Sequence, residues 1–247
     1  MLVMYADIHC HLDDLKDPAG AVLRAQQAGV LLILTNGLNF ENNKKALELQ
    51  SRFPSVKAAL GLYPNDAVSI SAAERAKVYQ QIRDANPVAI GEIGLDYHHD
   101  ASKQEEMKIV FSELLALAEE LKKPVLIHSR KAEQDVLEVL ESFNVRADLH
   151  CFGGSLKLAK KGIDAGHYFS IPTSVVRATH FQRLSQEVPV DRLLSETDAP
   201  WMSPDDEPNE PAKVVVGVKA MAEARQESLS ELREQLFLNA KRFIGDE

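Results

Sequence analysis

The chain has 247 residues, 45% of them hydrophobic, and a formal net charge of −9 at neutral pH. That apolar content supports a real core and excludes a disordered chain, while the acidic balance argues against a broad nucleic-acid-coating surface, which needs a basic face to neutralise phosphates. Nucleic acid remains open as a substrate, because bound metal ions would supply positive charge where a phosphate must sit.

The opening MLVMYADIHCHL is too short and too quickly polar to act as a signal peptide. A strand is expected over 3–8, running into His9-Cys10-His11. Alternate strand residues share a face, so the two imidazoles project together and make a good half of a metal site. Asp7 is placed on that face, where it would orient an imidazole from behind. A helix over 18–28, a strand over 30–35, a helix over 41–52 and a strand over 56–62 follow, and then Tyr63-Pro64-Asn65. Ser71 and Glu74 form a capping-box pattern at the start of a helix over 72–84.

The strand expected over 88–93 carries Glu92 between Gly91 and Gly94. A carboxylate there is an expensive unpaired charge, and no Lys or Arg lies nearby in sequence. Its two oxygens can bridge two cations, which accounts for both burial and position. Asp96 reads equally as a partner behind the ligands or as a loop cap. After a helix over 102–121, the strand 125–127 ends in His128-Ser129-Arg130, and after a helix over 133–143 the strand 147–149 ends in His150. Ser129 and Arg130 are candidate substrate contacts, the planar fork of Arg suiting phosphate or carboxylate. Gly153-Gly154 precede a helix over 155–165 and either offer amide hydrogens to an anion or simply admit the chain to the helix.

Strands over 167–171 and 192–195 complete the series. Asp198, just past the last, can both ligate an ion and take a proton from water. Trp201 reads as a stacking surface for a substrate ring or as packing under a loop. The stretch 203–211, with three prolines and four acidic residues, is a surface loop before a final helix pair. His98 and His99 read as a solvated loop pair, and His167 and His180 show no ligand context. Cys10 and Cys151 read as buried, reduced thiols facing away from the neighbouring histidines, which fits the cytoplasm. No run approaches the roughly 20 apolar residues of a membrane span.

Eight strand–helix units with short apolar strands indicate a parallel α/β sheet covered on both faces. A closed TIM (β/α)8 barrel in a single domain over 1–247 is favoured over an open sheet. The candidate ligands come from units one, four, five, six and eight, and only a ring brings the first and last strands together.

In their order and residues, His9-Cys10-His11, the segments 91–97, 127–130, 150–155 and 196–201, and Asn239-Ala240-Lys241-Arg242-Phe243 resemble the TatD family of metal-dependent hydrolases. The resemblance covers nearly the whole chain. It implies a TIM barrel, deoxyribonuclease-type phosphodiester hydrolysis and two divalent ions. His9, His11, Glu92 and Asp198 would hold one ion and Glu92, His128 and His150 the other. Two mouth segments depart from the family pattern: Tyr63-Pro64-Asn65 stands where His-Pro-His is usual, and Pro208-Asn209-Glu210-Pro211 where Arg-Asn-Glu-Pro is usual. Tyr63, Asn65, Arg130 and Trp201 are therefore the candidate substrate-binding residues, with Glu92 and Asp198 as the catalytic carboxylates.

The leading expectation is hydrolysis of a DNA phosphodiester through metal-activated water, the ions being Zn, Mn, Co or Mg, with no membrane association and no obligate protein partner. A second reading keeps the barrel and metals but takes an amide, ester or cyclic amidine. A third is a non-catalytic metal-binding protein.

Overall fold

The computed structural model describes residues 3–98 and 101–246. Eight parallel strands stand in sequence order: β1 (Tyr5–Cys10), β2 (Val30–Asn36), β3 (Val56–Leu60), β4 (Ala89–Asp96), β5 (Val125–Arg130), β6 (Ala147–His150), β7 (Tyr168–Ile171) and β8 (Leu193–Ser195). Helices lie between them: α1 (Pro18–Gln27), α2 (Phe40–Arg52), the one-turn α3 (Pro64–Ala67), α4 (Ala72–Ala85), α5 (Gln104–Leu121), α6 (Glu133–Leu140), α7 (Leu156–Asp164) and α8 (Thr179–Glu187). The pair α9 (Val214–Arg225) and α10 (Leu229–Ile244) ends the chain. This is the expected (β/α)8 barrel.

The ends of the ring meet through bonds that a flat sheet could not make. Ser195 Oγ donates to Ala6 O at 2.8 Å, the Asp198 amide to His9 O at 2.9 Å and the His11 amide to Ala199 O at 2.8 Å. Helix starts carry the expected chemistry, with Asp17, Asn39, Ser71 and Ser155 accepting from first-turn amides and the Ser71–Glu74 box complete in both directions.

Two apolar clusters result. The larger joins the outward residues of the strands to the helices. The smaller draws on β1, β2, β3, β4, β5, β7 and β8, together with Phe243 and Ile244 of α10. Side chains from so many strands meet only inside the ring, so this cluster fills the barrel and α10 closes it at one end. Polar residues gather at the other end.

The strand bounds differ from expectation at their carboxyl ends. β1 runs on to Cys10, β4 to Asp96 and β5 to Arg130. Polar residues continue the ladder there because their side chains face a shared polar pocket, which hydropathy alone does not reveal.

Candidate metal centre

The structure brings the six expected side chains together at the carboxyl rim of the barrel. Glu92 is the centre, and its two oxygens serve different neighbours. Oε2 lies 3.5 Å from His9 Nε2 and 3.3 Å from His11 Nε2. Oε1 lies 2.7 Å from His128 Nδ1 and 3.0 Å from His150 Nε2. Asp198 Oδ1 adds a second carboxylate 3.7 Å from His9 Nε2 and 3.8 Å from His11 Nε2. Glu92 reaches this position because β3 and β5 crowd β4: a Cβ on Gly61 would stand 2.4 Å from the Glu92 backbone, and one on Gly94, at φ +145°, would stand 2.0 Å from His128 O.

The places of the ring hydrogens suit these atoms to a cation. His11 Nδ1 faces Asn36 O at 3.0 Å and so carries the ring hydrogen, leaving Nε2 as a lone pair. That lone pair sits 3.2 Å from His9 Nε2. His128 Nε2 faces Asp96 Oδ2 at 3.2 Å, which leaves Nδ1 pointing at Glu92 Oε1. Two electron-rich atoms that close need positive charge between them, either an extra proton or a metal ion. The separations of 3.2, 3.3 and 3.5 Å among His9, His11 and Glu92 match the about 3.3–3.6 Å edge of a tetrahedron with zinc-like ligand distances. The donor set fits a divalent ion.

The carboxylates outweigh burial and raise His11, His128 and His150, so those rings favour protons that a metal ion would have to replace. Burial works to raise Glu92, but the imidazoles of His150, His11 and His128 outweigh it and hold the carboxyl well below its usual range. Burial, and then His150, push His9 down to about 4, so that ring stays neutral and keeps its lone pair. Burial lifts Asp198 to about 7 against the pull of His150 and His11.

Residues behind the centre hold its rings. Asp96 accepts from Tyr63 Oη at 2.6 Å as well as facing His128, so it stands behind a candidate ligand. Glu196, which sequence reasoning did not single out, is buried beneath His150. Its only sequence signal is its place two residues before Asp198. Among the described residues Asp7 makes no hydrogen bond to an imidazole. It accepts from Thr197 N at 2.8 Å and Thr197 Oγ1 at 2.6 Å, because an irregularity in β1 between Asp7 and Cys10 breaks simple alternation. Asp198 lies three residues beyond β8 in a left-handed conformation, φ 56°, which turns its carboxylate back over β1.

Above the rim is a cavity of about 650 Å³, lined in part by His11, Tyr63, His128, Arg130, Asp198 and Trp201. Trp201 is 50% exposed and stands edge-on to His11, with ring centroids 5.3 Å apart. Ser129 also lines the cavity, and its buried hydroxyl has no partner among the described residues. Leu38, Glu133 and Met202 line it too, unforeseen because each comes from a loop or a helix start. Asn65, in α3, is not among the lining residues.

Cys10 is buried and free, as expected. Cys151 is free but only half buried and lines the cavity. It follows the last residue of β6 with φ 46°, so strand alternation no longer governs it. His98 is exposed, His99 lies outside the described residues, and His180 Nε2 meets Phe152 O at 2.9 Å. Asn209, in the segment that departs from the family pattern, is buried. It donates to Thr173 Oγ1, Thr197 O and Trp201 O at 2.7–2.9 Å, so it ties the rim loops together.

Comparison with known proteins agrees with this geometry. Residues 6–245 match the family model described as TatD related DNase. The chain is similar to the metal-dependent hydrolase YabD of Bacillus subtilis, 32% identical over 98% of this chain and 99% of that protein. It is also similar to the 3'-5' ssDNA/RNA exonuclease TatD of Klebsiella pneumoniae, 33% identical over 93% of this chain and 92% of that one. Among solved structures, the TatD homologue YJJV of Escherichia coli superposes with a TM-score of 0.92 at 29% identity, covering 98% of both chains. With the family model matched from residue 6 to residue 245 and relatives above 30% identical over nearly the whole chain, the chain belongs to the TatD-related DNase family of metal-dependent hydrolases.

Proposed function

We propose that this protein hydrolyses phosphodiester bonds in nucleic acid, DNA foremost, with two divalent ions at the barrel rim. The observation that carries the reading is the division of Glu92 between two imidazole pairs, one on each carboxylate oxygen. His9, His11, Glu92 and Asp198 would hold one ion; Glu92, His128 and His150 would hold the other. Mixed imidazole and carboxylate ligands suit Zn, Mn or Co, and also Mg with more water. Such ions supply Lewis-acid charge that makes water a nucleophile near neutral pH and offsets the charge of the phosphate.

The chain's own residues do the rest. Asp198, facing the cavity, takes the proton from the attacking water. Arg130 binds the phosphate oxygens through its planar fork, and the unpartnered Ser129 hydroxyl adds a hydrogen bond. Trp201 offers its exposed face to a base, and single-stranded ends, whose bases are free to stack, suit it best. The relatives named as single-stranded DNA and RNA exonucleases support this choice. Two free cysteines fit action in a reducing cytoplasm, and no described helix is long and apolar enough to cross a membrane.

One observation favours a second reading, in which the substrate is a small amide, ester or cyclic amidine: among the described residues that line the cavity, Arg130 is the one Lys or Arg. Assaying the metal-loaded protein on single-stranded DNA, a nitrophenyl phosphodiester and a small amide panel decides between them. Metal-dependent cleavage of DNA is expected. Turnover confined to amides would overturn the nuclease reading, and a purified protein with no affinity for divalent ions would overturn both.

A further inference from the structure

Glu196 is fully buried behind the rim, and its oxygens are committed on three sides. The Cys151 amide donates to Oε1 at 3.0 Å and Ser170 Oγ donates to Oε2 at 2.6 Å. The third neighbour is His150, whose Nδ1 lies 3.5 Å from Oε2. Among the described residues that buried nitrogen makes no hydrogen bond, and the Glu196 carboxylate is the acceptor beside it. The opposite nitrogen, Nε2, faces Glu92 Oε1 at 3.0 Å. The ring of His9 lies flat on that of His150, with centroids 3.8 Å apart and planes 3° from parallel.

We propose that Glu196 is a positioning residue: it keeps the ring hydrogen of His150 on Nδ1, so that Nε2 presents a lone pair beside Glu92, and through the stacked rings it also sets the plane of His9. The proposal rests on His150 being a ligand. An imidazole that binds an ion through one nitrogen carries its hydrogen on the other, and a buried carboxylate is the usual acceptor for it. Ser170 and the Cys151 amide clamp Glu196 in place, so the carboxylate cannot turn away. One acid thereby serves a histidine of each ion's ligand set, since His9 belongs to one and His150 to the other.

The variant Glu196→Gln separates position from charge because it keeps the shape. With its oxygen toward the Cys151 amide, its NH2 group faces His150 Nδ1 and donates to it, which moves the ring hydrogen to Nε2 and removes the lone pair. Turned over, it sets its NH2 against the Cys151 N–H, donor to donor. Zinc affinity measured by competition with a chelator should fall about 10–100-fold, while the circular dichroism of the metal-free protein is unchanged. In the Co(II)-loaded protein, the exchangeable, paramagnetically shifted Nδ1–H proton of His150 should be present in wild type and lost in the variant, a change that a merely structural role would not produce. Should Glu196→Gln fail to fold, Ser170→Ala, which keeps the carboxylate but removes one clamp, should weaken zinc roughly fivefold, the equivalent of one hydrogen bond. A folded variant that binds zinc as tightly as wild type and keeps the Nδ1–H signal would overturn the role of Glu196 alone. A wild-type protein that takes up no divalent ion would instead overturn the ligand assignment beneath it.

Discussion

The imidazoles of His9 and His150 stack face to face, with centroids 3.8 Å apart and planes 3° from parallel, although 140 residues of chain separate them. Two charged rings at that distance would repel. Burial and the neighbouring His150 keep His9 neutral until the pH falls to about 4, so His9 presents a lone pair to a cation at neutral pH.

Divalent ions should therefore stabilise the folded chain. Zinc or manganese at a hundred times its dissociation constant contributes about 2.7 kcal/mol, provided that the unfolded chain does not bind it. Thermal melts with and without chelator should differ by several degrees and converge as acid protonates the imidazoles. Superimposable melts at pH 7 would count against the centre.

Glu92 touches both imidazole pairs, so Glu92→Gln should lose metal from both, read as the metal content of the purified protein. Asp198→Asn removes the proposed proton acceptor as well as a carboxylate facing His9 and His11. Its kcat on a nitrophenyl phosphodiester should drop by about 10²–10⁴, the usual contribution of a positioned base. Undiminished turnover in both variants would defeat the mechanism.

Asp148 should contribute a distinct share of the pH response of stability, alongside the raised carboxyls of Asp7 and Asp198. The Asp148 carboxyl is fully buried, lies 2.7 Å from Ser170 Oγ and is lifted to about 7, chiefly by burial. The folded state thus holds a proton that the unfolded state releases near pH 4, and stability falls as pH rises from about 4 through 7. Asp148→Asn imitates the protonated acid. In urea titrations of metal-free protein it should gain roughly 2–4 kcal/mol over wild type at pH 8 and almost nothing below pH 4. An equal gain at both pH values would refute the assignment.

Asn209→Ala strips three acceptors, Thr173 Oγ1, Thr197 O and Trp201 O, of their shared donor. A loss of roughly 2–3 kcal/mol is expected in urea unfolding. Because Thr197 adjoins Asp198 and Trp201 borders the cavity, KM should rise as well. A variant as stable as wild type would show that the rim loops hold without this tie.

Much of this molecule can be read along the chain. Apolar strands ending in His128, His150 or His9-Cys10-His11, with amphipathic helices between them, already imply a ring with its chemistry at one rim, because strand and helix periodicity are local properties. Glu92 stood out because a carboxylate in a buried strand needs a partner. Other features escaped because they depend on contacts across the ring. Asp7 turned to Thr197 through an irregularity in β1, Cys151 entered the cavity through a left-handed residue, and Asn65 lies in a one-turn helix away from the lining. Glu196 and Asn209 lie in segments compared with the family pattern, but no role could be given to either until folding placed them against His150 and the rim backbone. By itself, the order of residues determined the barrel and the inventory of metal-seeking groups. The tertiary structure alone decided which oxygen of Glu92 meets which ring and which acids stand behind them, because hydrogen-bond partners are chosen by proximity in space.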